Sequence, residues 1–385
     1  MNNRCIIIAG EMSADILGYE IISSNSNVDW YGVGGPYMNK TNFKSILNWK
    51  KIGGFGLVEI ILKLPLLFYN AHILANRIIK IKPKLIVTVD TKGFNFFLIK
   101  LIRSKLKLKS YKPRFIHLVA PTVWAWRPKR AKTISKLVDT LLCLFPKEIE
   151  YFKNLDLETK FVGHPAVQTF ILEGDREKLY SKLGLKDNNE IIISLLPGSR
   201  ASEVKKILPI LILTTKILKS KIRKPLLFLC QAAPNQEILV RNILNQYEND
   251  ILIVKKDHFG SQIAASSDFS IVASGTATLE FALTGVPIIA IYKTNFLSSF
   301  IGRKIINMDN IILPNWILGK KYIEFLFQEN CNPLKVSQEM IKLINNEEKI
   351  KSFNLNAKKL RKLLTANNIT FQENVSNIIQ HYLRA

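Results

Sequence analysis

Short runs of β-branched and aliphatic residues alternate with longer stretches of helical periodicity along nearly the whole chain. This is the pattern of an α/β protein with parallel sheets. In the first part, runs at 4–8, 85–89, 114–119, 140–144 and 160–162 read as strands. A second series occupies 191–196, 225–230, 251–254, 269–273 and 286–291. Beyond Gly163-His164-Pro165 the apolar character fades through 173–178, which sets a boundary near residue 170. The final stretch, 336–385, reads as amphipathic, lysine-rich helices that pack on the N-terminal domain or on a partner subunit. The simplest arrangement is two Rossmann-like domains, 1–170 and 171–335, facing a central cleft. A length of 385 residues agrees, because single cores stop growing near about 250–300 residues.

In such folds chemistry sits just beyond the carboxyl ends of the strands. The run 4–8 leads into Gly10-Glu11-Met12-Ser13-Ala14-Asp15, and 85–89 ends on Asp90. The run 191–196 ends in Pro197-Gly198-Ser199-Arg200, and 269–273 ends in Ser274-Gly275-Thr276. Asp90 is either a general base or the cap of the next helix. Ser274, Gly275 and Thr276 open a helix whose free N–H groups suit a phosphate, and Glu280, one turn on, suits two ribose hydroxyls. Arg200 suits a diphosphate, gripped bidentately. The alternative for both turns is a capped helix with a solvated side chain. Gly32-Val33-Gly34-Gly35-Pro36 lacks the spacing of a dinucleotide fingerprint and reads as a tight turn. His164 either touches substrate or satisfies its loop.

Charge widens the choice of partner. Lys and Arg number 55 against 30 Asp and Glu, a formal +25. Such an excess favours nucleic acid, an acidic membrane or a phosphorylated substrate, although lysines scattered among Ile and Asn also follow from an AT-rich coding strand. The four cysteines, Cys5, Cys143, Cys230 and Cys331, form no C-x-x-C pair, which argues against a disulfide scaffold and for a reducing compartment. No uninterrupted apolar stretch is long enough to span a membrane. No Asp-x-Asp, His-x-x-His or H-E-x-x-H cluster is found, so a catalytic metal is disfavoured and no cofactor is expected.

With these residues in view, the chain resembles the lipid A disaccharide synthase family, inverting glycosyltransferases of two-domain GT-B architecture. The segments that carry the resemblance span essentially the entire chain. They are Gly10-Glu11-Met12-Ser13-Ala14-Asp15-Ile16-Leu17-Gly18, Val89-Asp90-Thr91-Lys92-Gly93-Phe94-Asn95 and Ala120-Pro121-Thr122-Val123-Trp124-Ala125-Trp126-Arg127. Leu195-Leu196-Pro197-Gly198-Ser199-Arg200, Ala273-Ser274-Gly275-Thr276-Ala277-Thr278-Leu279-Glu280 and Leu313-Pro314-Asn315 complete the series. The resemblance implies condensation of UDP-2,3-diacylglucosamine with 2,3-diacylglucosamine 1-phosphate to a β(1→6) disaccharide, releasing UDP. It implies Asp90 as the base for the acceptor 6-hydroxyl, with Glu11 close to the reacting sugars. Ser199, Arg200, Ser274, Gly275, Thr276, Glu280 and Asn315 become donor contacts, and Ser13, Asp15, Trp124 and His164 candidate substrate contacts. A homodimer with exchanged C-terminal segments is a further family property.

Two positions depart from the family pattern. Ala14 stands where glycine is common, and Lys92 replaces proline beside Asp90, where an ammonium either lowers the pKa of the carboxyl or reaches the acceptor phosphate. Leu57, Ile60, Ile61, Leu64 and Phe68 recur along one helical face, with Pro65 expected to kink the helix or restart it. That face is either core or, given acylated substrates and the +25 charge, a docking face for the anionic cytoplasmic leaflet of the inner membrane. Two rivals remain: a related UDP-sugar enzyme such as an epimerase, and a basic nucleic-acid-binding protein. The second needs clustered cations interleaved with stacking aromatics, and no nucleic acid is expected.

Overall fold

The computed structural model describes residues 3–53, 57–121, 130–186, 189–233, 235–255, 260–294 and 311–384; within these, the side chains of 57–63, 92, 130 and 255 lie outside the description. The chain divides into two compact units, Met1–Pro165 joined by Leu364–Ala385, and Ala166–Leu363. The C-terminal stretch taken as one segment is therefore shared: its last 22 residues return to the first unit, and the rest stays with the second.

The first unit is built on seven strands: β1 (Arg4–Ala9), β2 (Asp29–Val33), β3 (Lys44–Ser45), β4 (Leu85–Val89), β5 (Arg114–Leu118), β6 (Thr140–Cys143) and β7 (Glu158–Phe161). Their order is β3-β2-β1-β4-β5-β6-β7, and every neighbouring pair is parallel. Helices cover both faces, so β1 and β4 are buried along almost their full length and read as unbroken apolar runs rather than alternating ones. Ile6, Ile86, Leu98, Ile102 and Leu141 lie in its core.

The helix Leu57–Ile81 runs unbroken through Pro65. Its C-terminal half turns Ala71, Leu74, Ala75 and Ile78 into that core. Earlier turns expose Leu64, Leu66, Phe68 and Tyr69, with Leu66 at 50% and Phe68 at 45%. The Phe68 ring meets Phe97 edge-on at 4.7 Å between centroids.

The closing helix Phe371–Arg384 is fastened to the far edge of this sheet. Tyr382 bonds through its hydroxyl to Thr140 and Glu158, and the Arg114 guanidinium lies 3.8 Å over its ring. Burial works against the Glu158 carboxylate, but hydrogen bonds from Tyr382, Lys160 and Thr140 outweigh it and bring its pKa down to about 2.

The second unit has six strands: β8 (Ile191–Leu196), β9 (Leu226–Ala232), β10 (Leu252–Lys255), β11 (Phe269–Ala273), β12 (Ile288–Tyr292) and β13 (Glu324–Phe327). Their order is β10-β9-β8-β11-β12-β13, again all parallel. Among the described residues no helix is long and apolar enough to cross a membrane. All four cysteines are buried, and desolvation raises the thiols of Cys5 and Cys230 to about 12, which keeps them protonated and unreactive.

Candidate active site at two strand crossovers

Each sheet reverses its strand order once, and ligands of open α/β sheets bind at such reversals. In the first unit the reversal lies between β1 and β4; in the second, between β8 and β11. The register opposes Ala9 to Val89 and Val272 to Leu196, so each pair of turns leaves its sheet side by side. The turns so paired carry Glu11 with Asp90, and Arg200 with Ser274.

The Asp90 turn has an uncommon backbone. Asp90 has φ 44° and Thr91 has φ 40°, both left-handed, and Val119 at the end of the neighbouring β5 has φ 77°. Each such non-glycine residue costs about 1–2 kcal/mol, and strain of this kind collects where function requires a fixed geometry. Several bonds hold it. The Asp90 N–H donates to Leu118 O at 3.0 Å, and the Gly10 N–H donates to Thr91 Oγ1 at 3.3 Å. The amide of Asn95, on the helix Lys92–Leu106, donates to Val89 O at 3.1 Å and to Asp90 O at 2.9 Å. Backbone packs tightly above β1 as well: a Cβ on Gly53 would stand 1.4 Å from Gly10 O.

Glu11 and Ser13 are exposed at the start of the helix Met12–Ser23, beside Asp90's turn. Asp15 is not. It is wholly buried, and its carboxylate accepts from the backbone N–H groups of Gly35 at 2.6 Å, Tyr37 at 2.8 Å and Met38 at 3.2 Å. Asp15 therefore anchors the glycine-rich turn after β2 from a buried position. Ala14 is likewise buried and helical, a position with no need of positive φ. The Lys92 side chain and all of Trp124 lie outside the described residues. His164 stacks on Phe145 at 5.4 Å, its backbone N–H donates to Leu364 O, and burial lowers the pKa of its ring to about 4. It is a neutral ring within the first unit and offers no cation to a phosphate.

In the second unit Gly198 takes φ 113°, letting the chain after β8 turn back onto its own helix. Glu203, in the first turn of the helix Ala201–Lys221, accepts from the N–H groups of Ser199 at 3.1 Å and Arg200 at 3.2 Å. It also pairs with Arg200 Nη1 at 3.2 Å and accepts from Tyr292 Oη at 3.4 Å. The amides of this turn are thus already satisfied by a carboxylate, while the Arg200 side chain remains 76% exposed. Burial, then the Glu203 charge, raise the Tyr292 phenol, so it stays a donor.

Across the crossover, Gly275 and Thr276 are exposed and Ser274 and Glu280 half-buried. A Cβ on Gly275 would meet nothing within 4 Å, so this turn opens outward. Asn315 is different. It is buried, and its amide accepts from Tyr322 and Ile323 N–H and donates to Ile323 O, closing the turn after its own helix. Asn315 holds that turn, its oxygen taking two backbone N–H groups and one amide hydrogen going to a backbone carbonyl. Sequence reasoning overlooked Glu203, although Arg200-x-x-Glu203 has capping-box spacing.

A family model described as lipid-A-disaccharide synthetase matches residues 5–379. The chain belongs to the lipid-A-disaccharide synthase family. The lipid-A-disaccharide synthase of Wigglesworthia glossinidia brevipalpis is 33% identical over 366 residues, covering 94% of this chain and 93% of its own length. The solved calicheamicin glycosyltransferase CalG4 superposes with a TM-score of 0.62 at 11% identity, over 100% of this chain and 99% of that one. The UDP-GlcNAc 2-epimerase of Neisseria meningitidis, solved bound to UDP-GlcNAc, gives 0.56 at 11% identity, over 99% of each chain. A transferase and an epimerase share these folds, so the fold, of GT-B class, does not choose between them. Family membership does, and it selects the transferase.

Proposed function

We propose that this chain condenses UDP-2,3-diacylglucosamine with 2,3-diacylglucosamine 1-phosphate, forming the β(1→6) disaccharide 1-phosphate and UDP. The observations that carry the reading are made within each unit by itself, a strand-end carboxylate at the crossover of the first sheet and an exposed guanidinium at the crossover of the second, in a chain of this family. Asp90 takes the proton of the acceptor 6-hydroxyl as that oxygen attacks the anomeric carbon of the donor. The bond from that carbon to the diphosphate oxygen breaks, the configuration inverts, and UDP leaves. Arg200 balances the departing charge through its guanidinium, since Glu203 occupies the amides of its turn. The open Ser274-Gly275-Thr276 turn and Glu280 receive the nucleotide, and Glu11 and Ser13 lie on the acceptor side.

The same reading makes the enzyme peripheral on the cytoplasmic face of the inner membrane. Leu64, Leu66, Phe68 and Tyr69 expose apolar surface on one stretch of helix, in a chain of +25 charge whose substrates are acylated. A homodimer with exchanged C-terminal segments is also part of it. Exchange would keep the contacts of Tyr382 with Thr140 and Glu158, now made to the partner's copy.

The two crossovers separate in one experiment. Asp90→Asn should lower turnover by roughly 10²–10⁴-fold and leave UDP affinity unchanged, because proton removal matters only in the transition state. Arg200→Ala should weaken UDP itself. Full turnover in Asp90→Asn would make Asp90 a helix cap and place the base elsewhere.

A further inference from the structure

We propose that Asn95 is a positioning residue for the acceptor base, fixing the direction of the Asp90 carboxylate through its backbone. The inference rests on Asp90 being that base. Asn95 is wholly buried and lies one turn into the helix Lys92–Leu106, whose N-cap is Thr91, the residue after Asp90. Both hydrogens of its side-chain amide are used on one short stretch of chain, one on Val89 O at 3.1 Å and the other on Asp90 O at 2.9 Å. Two carbonyl oxygens face the group, so only the NH2 end fits there; the reversed amide would set oxygen against oxygen. The Asn95 Oδ1 has no hydrogen-bond partner among the described residues. A buried, unmatched oxygen is a cost that an apolar residue of similar size would avoid. The residue is therefore fitted for its two donors.

Those donors act on the two residues that flank the change of direction. Val89 is the last residue of β4, extended and paired to Ala9 and Leu118. Asp90 follows at φ 44° and Thr91 at φ 40°. Left to its own preferences, an aspartate followed by a threonine returns to negative φ, and the peptide plane between Val89 and Asp90 rotates. Such a rotation swings the Asp90 Cα–Cβ bond and moves the carboxylate by the order of an ångström or more. A misplacement of about 1 Å at a reacting group is worth about 10²-fold in rate. By drawing both carbonyls onto one amide, Asn95 holds the left-handed turn and so the aim of the base.

The test is a double-mutant cycle between Asn95→Ala and Asp90→Asn, with initial rates measured by product mass spectrometry at both substrates in excess of enzyme. Asn95→Ser, which keeps one donor, runs in parallel. The expected result is a fall in kcat of about 10–100-fold for Asn95→Ala with KM for both substrates and the Kd of UDP within about twofold. Asn95→Ser should lie between it and the parent. In the Asp90→Asn background the same replacement should cost less than about threefold, because the group it aims is no longer a base. Equal losses in both backgrounds would overturn the proposal, since Asn95 would then act independently of Asp90. So would an unfolded protein in both the Ala and the Ser variants, which would assign Asn95 to the fold alone. If Asp90→Asn keeps full turnover, the base assignment fails first and is recognised by that result; if Asp90→Asn is crippled while both Asn95 variants run at the parent rate, only the positioning role fails.

Discussion

Replacing Asp15 by asparagine isolates the carboxylate's role, because shape is preserved while one acceptor becomes a donor. The side chain is wholly buried and accepts two N–H groups on Oδ1, from Gly35 at 2.6 Å and Met38 at 3.2 Å, and one on Oδ2, from Tyr37 at 2.8 Å. The better amide orientation keeps the two bonds on oxygen and turns NH2 toward the Tyr37 N–H, donor against donor. The loss is one hydrogen bond to a charged group, worth about 1.5–3 kcal/mol, with weaker charge assistance in the other two. A destabilisation of about 2–4 kcal/mol follows, large for one substitution. In a unit of nearly 190 residues it lowers Tm by about 5–15 °C. Circular dichroism melts, paired with a UDP titration, read it directly, and UDP affinity should not change. A Tm within about 1 °C of the parent together with a raised acceptor KM would refute the reasoning and return Asp15 to the substrate.

Activity should survive EDTA, and Arg200→Ala should weaken UDP binding while Glu280→Ala weakens UDP more than free diphosphate; recovery only with Mg²⁺ or Mn²⁺, or equal losses for both ligands, would count against these roles. Leu64, Leu66 and Phe68 are exposed, so their joint replacement by Ser should release the protein from anionic vesicles in a flotation assay with Tm nearly intact; unchanged flotation would move the docking face elsewhere. His164 is held neutral by burial, with a pKa near 4 against about 6.5 in the unfolded chain. Its contribution to stability is therefore complete above pH 6.5 and is lost as pH falls toward 4, by no more than about 1.4 kcal/mol per pH unit. Urea midpoints of His164→Asn should fall less steeply than the parent's over that window, and parallel curves would refute it.

The sheets were legible because their central strands are buried on both faces and so appear as continuous apolar runs, as at Leu85–Val89 and Phe269–Ala273. Strands Asp29–Val33, Lys44–Ser45 and Glu324–Phe327 were not recognised. The first carries an exposed aspartate and a glycine, the second has only two exposed residues, and the third is a half-covered sheet edge. Candidate site positions were legible as far as the strand-end turns, because a turn's place in a parallel sheet follows from the strand before it. Which side chains stay available there was not. Asp15 and Asn315 sit in motif segments like Asp90 and Arg200 do, yet they bond to backbone groups up to 23 residues away, and a backbone N–H leaves no mark in a sequence. The left-handed Asp90-Thr91 pair was hidden for a related reason: neither residue type announces positive φ, and the asparagine that sustains it is four residues on from Thr91.

Incubation with UDP-2,3-diacylglucosamine and 2,3-diacylglucosamine 1-phosphate, followed by mass spectrometry of the products, tests the central claim most directly. The account predicts a tetraacylated disaccharide 1-phosphate and UDP in equal amounts, abolished to the same extent for both products in Asp90→Asn. UDP without disaccharide, or a donor sugar epimerised with no acceptor consumed, would contradict it.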